Sequence, residues 1–213
     1  LSFVSEHKKS LFQDRILHRT HYLTIVLENV YQPHNNSAVL RSCDCFGIQD
    51  VHIIENRSAY SVNPEIALGA SQWLTLNRYN MGHETSGNVL KSLKRNGYRI
   101  AATTPHREDF TPENLPMDQP LALVFGTEKE GLGPEVLQQA DVFVRIPMNG
   151  FTESLNISVS AGILLHTLVT RLRNSEIQWR LSPGNAREIM IGWACSVVKT
   201  PELLIRNFLD KMQ

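Results

Sequence analysis

The sequence predicts an α/β fold, a mostly parallel sheet with helices on both faces, and two observations support this prediction. Short apolar runs of strand length recur along the chain, and the segments between them carry apolar residues at helical spacing. Strands that alternate with helices form parallel sheets covered on both faces. The alternation runs from residue 22 to residue 173 and then stops, so the remaining C-terminal part is predicted to be helical.

Six strands are predicted from β-branched and apolar runs. In chain order they are YLTIVLENV (22–30), VHIIE (51–55), LTLNRY (74–79), YRIAATT (98–104), LALVFG (121–126) and VFVRI (142–146).

The predicted helices lie between and after these strands. They are NNSAVLRSCDCFG (35–47), NPEIALGASQW (63–73), ETSGNVLKSLKRNG (84–97), PEVLQQA (134–140) and SLNISVSAGILLHTLVTRLR (154–173). The first begins with asparagines that can cap a helix and stops at Gly47. Beyond residue 174, Ser182-Pro183 and Thr200-Pro201 each indicate a helix start.

The chain is therefore divided into three regions. Residues 1–20 form a polar, basic N-terminal extension that is helical in part. Residues 21–173 form the α/β domain, and residues 174–213 form a helical C-terminal extension.

Composition and charge are those of an ordinary soluble domain. The 213 residues are 42% hydrophobic and 20% charged, and twenty-one basic residues balance twenty-one acidic ones. A polyanionic partner would thus have to be met by a local basic patch. The chain has no apolar run of about 18 residues and no secretory signal pattern at its start, so we expect no membrane span and a cytoplasmic location.

The three cysteines, Cys43, Cys45 and Cys195, are too few and odd in number for a disulfide framework. They also lack the spacing of a zinc site. We expect reduced thiols and no bound metal.

Three polar segments could carry chemistry, and each also has a plain structural reading. FGTEKEGLGPE follows a predicted strand, and its glycines allow a ligand to approach the backbone, but it is neither a GxGxxG nor a GxxxxGK[ST] loop. HNNSAVLRS places Asn35 at a helix cap and Arg41 in the helix body. An arginine in that position is either an ordinary surface residue or a residue whose guanidinium binds a phosphate through two hydrogen bonds. IPMNGFTESLNISVS is either a capped turn or a strand-to-helix site for a small polar ligand.

Together these segments resemble the three signature motifs of the SPOUT methyltransferases, in the TrmH (SpoU) branch of RNA ribose 2′-O-methyltransferases. NNSAVLRSCDCFG is similar to the first motif, LVFGTEKEGLG to the second and IPMNGFTESLNISVS to the third. The resemblance covers residues 22–173. It implies a parallel sheet whose C-terminal part forms a deep trefoil knot, a rare exception to the rule against threaded chains. It also implies a homodimer with active sites near the subunit interface.

The resemblance further implies S-adenosyl-L-methionine as the methyl donor, bound in a bent form by the knotted loops. The residues expected to contact it, many through their backbone, are Thr103, Gly126, Glu128, Ile146, Met148 and Leu155.

The catalytic residues that the resemblance implies are Asn35, Arg41, Glu128, Ser154 and Asn156. Family members are sometimes described with the arginine as the base, but a guanidinium with a pKa above about 12 is almost never neutral. We therefore expect Arg41 to hold the adjacent phosphate and stabilise the developing alkoxide, while the proton leaves to the phosphate or to water. Asn35, Ser154 and Asn156 would orient Arg41 and the ribose, and Glu128 would anchor loop amides.

The two ends of the chain, a short basic N-terminal stretch rather than a separate RNA-binding domain and a helical tail with Trp179 and Trp193, resemble those of the tRNA enzymes that methylate a guanosine ribose in the D-loop. RNA contacts are expected first from Lys8, Lys9, Arg15, Arg19 and Arg41. A second basic set comprises Lys91, Lys94, Arg95, Arg99, Arg171 and Arg173.

Three alternatives stay open on the sequence alone. One is a ribosomal-RNA ribose methyltransferase. Another is a non-catalytic RNA-binding protein that keeps the fold, although every motif position with a chemical role is present. The third is a nucleotide- or NAD-dependent α/β enzyme, which the absence of a glycine fingerprint and a phosphate-loop lysine disfavours.

Overall fold

The structure, a computed structural model, describes residues 4–55, 63–80, 85–107, 109–203 and 206. Its centre is a six-stranded sheet in which every neighbouring pair of strands is parallel. The strands are β1 (Leu23–Glu28), β2 (Asp50–Glu55), β3 (Thr75–Asn80), β4 (Arg99–Thr103), β5 (Leu121–Phe125) and β6 (Val142–Val144). Their order across the sheet is β3-β2-β1-β5-β4-β6. The predicted α/β class and all six predicted strands are confirmed.

The helices of the described residues follow the predicted alternation. They are α1 (Glu6–Ile16), α2 (Pro33–Phe46), α3 (Pro64–Ala67), α4 (Ser86–Arg95), α5 (Pro134–Gln139), α6 (Ile157–Arg173) and α7 (Pro183–Val197), with a 3₁₀ helix at Ala70–Trp73. The helix start predicted at Thr200-Pro201 is helical through residue 203, and most of the chain beyond that residue lies outside the described ranges.

Two helix predictions were wrong in detail, and each has a local cause. The predicted helix 63–73 is two short pieces, because Leu68 and Gly69 both adopt positive φ, at 47° and 77°. Helix α2 begins at Pro33 rather than at the asparagines, since proline suits the first helical position, and Gln32 holds the N-cap position without a side-chain cap hydrogen bond. Asn35 is consequently a first-turn residue and not the cap.

Apolar residues cover the sheet on both faces, as an alternation of side chains within strands requires. On β1, Ile25 and Leu27 belong to the larger core, while Val26 belongs to the other. The larger core is completed mainly by α2 and α6, and the smaller one by α4 and α5. The sheet is thus a buried layer whose loops at the carboxyl ends of its strands are free to form a site.

The chain divides into two compact units, and the sheet belongs to the unit Thr20–Trp179. The other unit joins the N-terminal residues through Arg19 with the C-terminal residues from Arg180. Within it, the rings of Phe12 and Trp193 lie 5.5 Å apart, and the Arg19 guanidinium lies 5.3 Å from the centre of the Trp193 ring.

Arg171 is a structural arginine that ties α6 to the connection between β4 and β5. Its guanidinium donates to the carbonyl oxygens of Pro112 (2.6 Å) and Leu115 (2.8 Å). We expect Arg171→Gln to lower the free energy of unfolding by about 2–3 kcal/mol, because charge-assisted hydrogen bonds are lost and buried acceptors are left unpaired. Urea denaturation followed by circular dichroism measures this.

The matched control is Arg173→Gln, two residues along the same helix. Arg173 is exposed, and its contacts among the described residues are weak: one long hydrogen bond, 3.4 Å to the Phe46 carbonyl, and an approach of 6.0 Å to the centre of the Trp179 ring. A loss as large in this control as in Arg171→Gln would contradict the assignment.

Candidate active site

A cavity of about 360 Å³ lies at the carboxyl ends of β4, β5 and β6, which are neighbours in the sheet. This edge of a parallel sheet is where ligands of α/β proteins bind. The lining comes from the segments that follow each strand, 103–106, 125–132 and 144–148, and from the start of α6. All six residues expected to contact the methyl donor line it: Thr103, Gly126, Glu128, Ile146, Met148 and Leu155.

The loop of the second motif, which follows β5, is closed by two backbone–backbone hydrogen bonds. The amide of Thr127 donates to the carbonyl of Gly131 (2.9 Å), and the amide of Gly131 donates to the carbonyl of Thr127 (3.0 Å). Gly131 has a φ of 68°, a conformation that glycine adopts without strain. A Cβ on Gly126 would lie 2.1 Å from the Gly131 oxygen. The glycines therefore allow the turn to fold back tightly beside the cavity.

A polar cluster of Asn35, Glu128 and Asn156 joins all three motifs. The Asn156 side-chain amide donates to Glu128 Oε1 (2.8 Å) and to Asn35 Oδ1 (3.0 Å). The Asn35 amide donates to the same Glu128 oxygen (3.1 Å). Since Glu128 also lines the cavity, the cluster forms a polar part of the cavity rim.

The ends of two helices hold these asparagines in place. Asn156 is the N-cap of α6, so its Oδ1 accepts from the amide of Ser158 (2.8 Å) while its Nδ2 is left for the cluster. Asn35 lies in the first turn of α2 and is 2% exposed. Its amide also donates to Gln32 Oε1 (2.6 Å) at the helix cap. Helix geometry and these hydrogen bonds thus hold both side chains in the cluster.

The two other expected catalytic residues lie differently. Ser154 lines the cavity, two residues before the α6 cap. Arg41 is exposed on α2, outside the cavity lining, and has no hydrogen bond or ion pair within the part of the chain that the structure describes. One chain therefore assembles the cluster and the cavity but does not bring Arg41 to them.

The expected RNA-binding residues of the N-terminal stretch differ in exposure. Lys8 and Arg15 are exposed, and Lys9 is half-buried with its ammonium 2.5 Å from Glu6. Arg19 is 6% exposed, so its guanidinium is poorly placed to reach a phosphate. Three residues of the second basic set bind groups of the protein itself. Lys94 pairs with Asp141, Arg99 pairs with Asp118, and Arg171 donates to two backbone carbonyls.

Sequence reasoning missed several residues of this site. His106, Lys129 and Arg145 also line the cavity, and Gln32 supports Asn35. Each lies within a few residues of a strand end or a motif, so position at the carboxyl edge was the signal that could have found them.

No group of three or more metal-binding side chains occurs within the described ranges, and no helix found there is long and apolar enough to cross a membrane. The three cysteines are free thiols.

Comparison with known proteins decides the family. The model of the SpoU rRNA Methylase family matches residues 22–166, which is most of the chain. The chain belongs to the SpoU methylase family. A tRNA (guanosine(18)-2′-O)-methyltransferase of Borreliella burgdorferi is 38% identical over 208 residues, covering 98% of this chain and 93% of the relative. An enzyme of the same name from Thermus thermophilus is 29% identical over 89% of this chain and 96% of its own length.

Solved structures of the SpoU family share the fold. The crystal structure of the Aquifex aeolicus TrmH/SpoU tRNA-modifying enzyme is 28% identical, with a TM-score of 0.79 over 91% of this chain and 98% of that one. The family and the parallel α/β fold implied by the three motifs are thus confirmed, while the trefoil knot and the roles of individual residues stay predictions.

The cluster leads to a prediction about Glu128, whose Oε1 accepts from both asparagines. Glu128→Gln keeps an oxygen acceptor in this position, so we expect kcat to stay within about fivefold of wild type. Glu128→Ala removes the acceptor and should lower kcat by at least about tenfold, the cost of one or two hydrogen bonds to a charged group. Single-turnover methyl transfer measures both. A Glu128→Gln loss as large as that of Glu128→Ala, with the acidic limb of the pH profile abolished, would instead identify a general base.

Proposed function

We propose that this chain transfers the methyl group of S-adenosyl-L-methionine to the ribose 2′-hydroxyl of a guanosine in the D-loop of tRNA. The observation that carries the proposal is the Asn35–Glu128–Asn156 cluster at the rim of the cavity, because it joins the three motifs at one place. The relatives that match nearly the whole chain are named for guanosine 18 of tRNA, which supports the choice of substrate.

The donor would occupy the cavity between the strand ends. The backbone-rich turn at Gly126–Gly131 suits a ligand recognised through amides and carbonyls, and Ile146, Met148 and Leu155 supply apolar contact. Bound there, S-adenosyl-L-methionine supplies an electrophilic methyl on a sulfonium, so the reaction needs no metal. The 2′-oxygen forms a bond to the methyl carbon as the carbon–sulfur bond breaks, and the electron pair of that bond passes to sulfur.

The protein's part is to orient the ribose and to stabilise charge. Ser154, which lines the cavity, would hold the ribose so that its 2′-oxygen lies in line with the methyl group, while Asn156 keeps Glu128 and Asn35 in position beside it. Arg41 would bind the phosphate next to the reacting ribose through two hydrogen bonds from its guanidinium, and would stabilise the developing alkoxide. The hydroxyl proton would leave to that phosphate or to water. Exposed Lys8 and Arg15 would meet the RNA backbone.

The same proposal includes a homodimer. Val159 and Ile163 are exposed by 48% and 38%, one turn apart on α6, and Leu155 precedes them with 37% exposure. Such a stripe is typical of an interaction surface. Helix α2, which carries Arg41, packs against α6, so a dimer through this face would put Arg41 near an interface. Family resemblance further supports a trefoil knot at the C-terminal part of the sheet, and a cytoplasmic location.

The dimer is tested by Val159→Asp. We expect this change to give a monomer in sedimentation equilibrium, because a carboxylate is costly to bury at an apolar contact. Thr170→Asp, at an exposed position on the same helix, is the control. A Val159→Asp protein that keeps the mass of the wild type would contradict an interface through this stripe.

Ribosomal RNA is the second candidate substrate, because the description of the matching family model names it. A non-catalytic role is disfavoured by the presence of every motif residue with a chemical role.

The test is transfer of labelled methyl from S-adenosyl-L-methionine to unmodified tRNA and ribosomal-RNA transcripts. We expect label on tRNA, as 2′-O-methylguanosine in a nuclease digest. Label on ribosomal RNA alone would favour the second candidate, and label on a base would contradict ribose methylation.

A further inference from the structure

Glu28 is a buried carboxylate that the three motifs do not include. It ends β1 and is 4% exposed. Its Oε1 accepts from the Ser86 hydroxyl (2.5 Å) at the start of α4, and its Oε2 accepts from the Gly133 amide (2.7 Å) at the cap of α5. Glu28 does not line the cavity. It therefore links three elements behind the site without touching the place where a donor would lie.

Gly133 fits against this carboxylate at close range. Its φ of −66° is one that any residue adopts, so the backbone conformation does not require glycine. Lack of space requires glycine instead, because a Cβ on residue 133 would lie 2.8 Å from Glu28 Oε1 and 3.2 Å from Glu28 Oε2. The last glycine of the second motif thus serves the approach of Glu28 to its amide.

A second contact joins the start of α4 to the start of α5. The amide of Gly87, beside Ser86, donates to Glu135 Oε2 (2.7 Å) in the first turn of α5. The start of α4 is therefore joined to the start of α5 directly and also through Glu28.

The junction of Glu28 with the starts of α4 and α5 matters for the site because it lies at one end of a loop that lines the cavity. The second-motif loop leaves the sheet at Phe125, the end of β5, and reaches α5 at Gly133. Residues 125–132 line the cavity, so one end of the lining segment is fixed by the sheet and the other by Glu28. A hydrogen bond to a carboxylate is stronger than one between neutral groups, so this second anchor is a firm one.

We propose that Glu28 is a positioning residue, which holds the loop between β5 and α5 in the conformation that binds the methyl donor. The inference rests on the proposed function, since it takes the cavity to be the donor site. It predicts that loss of the carboxylate weakens donor binding and leaves RNA binding unchanged.

The chain offers a matched control in Glu55. It ends the neighbouring strand β2, is 5% exposed, and accepts from Arg78 at 2.9 and 3.0 Å, away from the cavity lining. Glu28 and Glu55 are thus alike in type, burial and place at the end of adjacent strands. Glu28 is bonded to the end of the loop at Gly133, whereas Arg78, the partner of Glu55, lies on β3, so a general effect of losing a buried carboxylate appears in both variants.

The experiment measures calorimetric binding of S-adenosylhomocysteine, the donor KM, kcat, tRNA affinity and melting temperature for the full chain. Glu28→Ala is expected to raise the donor Kd and KM by about tenfold, the equivalent of one charge-assisted hydrogen bond, with tRNA affinity within about twofold. Glu28→Gln should restore most of the affinity, because its oxygen can accept from Gly133 while its amide donates to the Ser86 hydroxyl. Glu55→Ala should leave the donor Kd within about twofold of wild type even where its melting temperature falls.

Two results would overturn the proposal. One is a donor Kd for Glu28→Ala equal to that of wild type. The other is an equal loss of donor affinity in Glu55→Ala at a similar fall in melting temperature. If Glu28→Ala does not fold, Glu28→Asp, whose shorter side chain cannot reach both donors, replaces it with the same expected shift in donor Kd. A wild-type protein that binds no S-adenosylhomocysteine would instead contradict the proposed function.

Discussion

Arg41→Lys is expected to lower kcat by about a hundredfold while tRNA affinity stays within about threefold of wild type. The guanidinium presents a planar fork of donors, which can hold a phosphate and face a developing alkoxide together, whereas an ammonium is a single point charge. Arg41 is exposed and has no partner among the described residues, so the substitution should leave the fold intact. Single-turnover transfer and filter binding to the same tRNA separate the two quantities.

The control is Arg187→Lys, at an exposed position on α7, outside both basic sets and with no hydrogen bond or ion pair among the described residues. It should be near wild type in both measurements. Near-full activity of Arg41→Lys with unchanged tRNA binding would rule out the forked clamp.

Gly126→Ala should abolish donor binding at accessible concentrations, a loss of at least about a hundredfold in affinity. An added Cβ would lie 2.1 Å from the Gly131 oxygen, 2.3 Å from its carbonyl carbon and 2.6 Å from the amide nitrogen of Leu132. All three are backbone atoms of the turn that lines the cavity, so no side chain can move aside. The turn must open, and its backbone groups leave their positions. Calorimetry with S-adenosylhomocysteine measures the loss.

Gly192→Ala is the matched control, because a Cβ there would meet nothing within 4 Å. It lies inside α7, where alanine is favoured over glycine by about 0.5–1 kcal/mol, so stability should rise slightly and donor binding stay unchanged. A Gly126→Ala protein with wild-type donor affinity would show that this turn is not part of the donor site.

Strands were the most predictable part of the fold, because a buried parallel sheet needs unbroken apolar runs. Ile25 and Val26 lie in different cores, and both had to be apolar. Boundaries of helices were less predictable. The interruption at Leu68 and Gly69 depends on local backbone conformation that the apolar spacing of 63–73 does not encode.

The site was predictable in its parts and not in its geometry. The three motifs pointed to Asn35, Glu128 and Asn156, which the structure joins by hydrogen bonds across 93, 121 and 28 residues of chain. The role of Glu28 could not be predicted from the sequence, because a polar residue at the end of a strand is ordinary and its partner Gly133 is 105 residues away. Arg41 lies apart from the cluster in one chain, and no pattern in the sequence states its distance from the cavity.

Methyl transfer to a ribose 2′-hydroxyl of tRNA in this site can be tested with two tRNAs that are identical except at guanosine 18. That nucleotide carries a 2′-hydroxyl in one tRNA and 2′-deoxyribose in the other. With labelled S-adenosyl-L-methionine we expect about one methyl group per molecule on the first tRNA and none on the second. Equal labelling of the two tRNAs would show that the 2′-hydroxyl is not the acceptor.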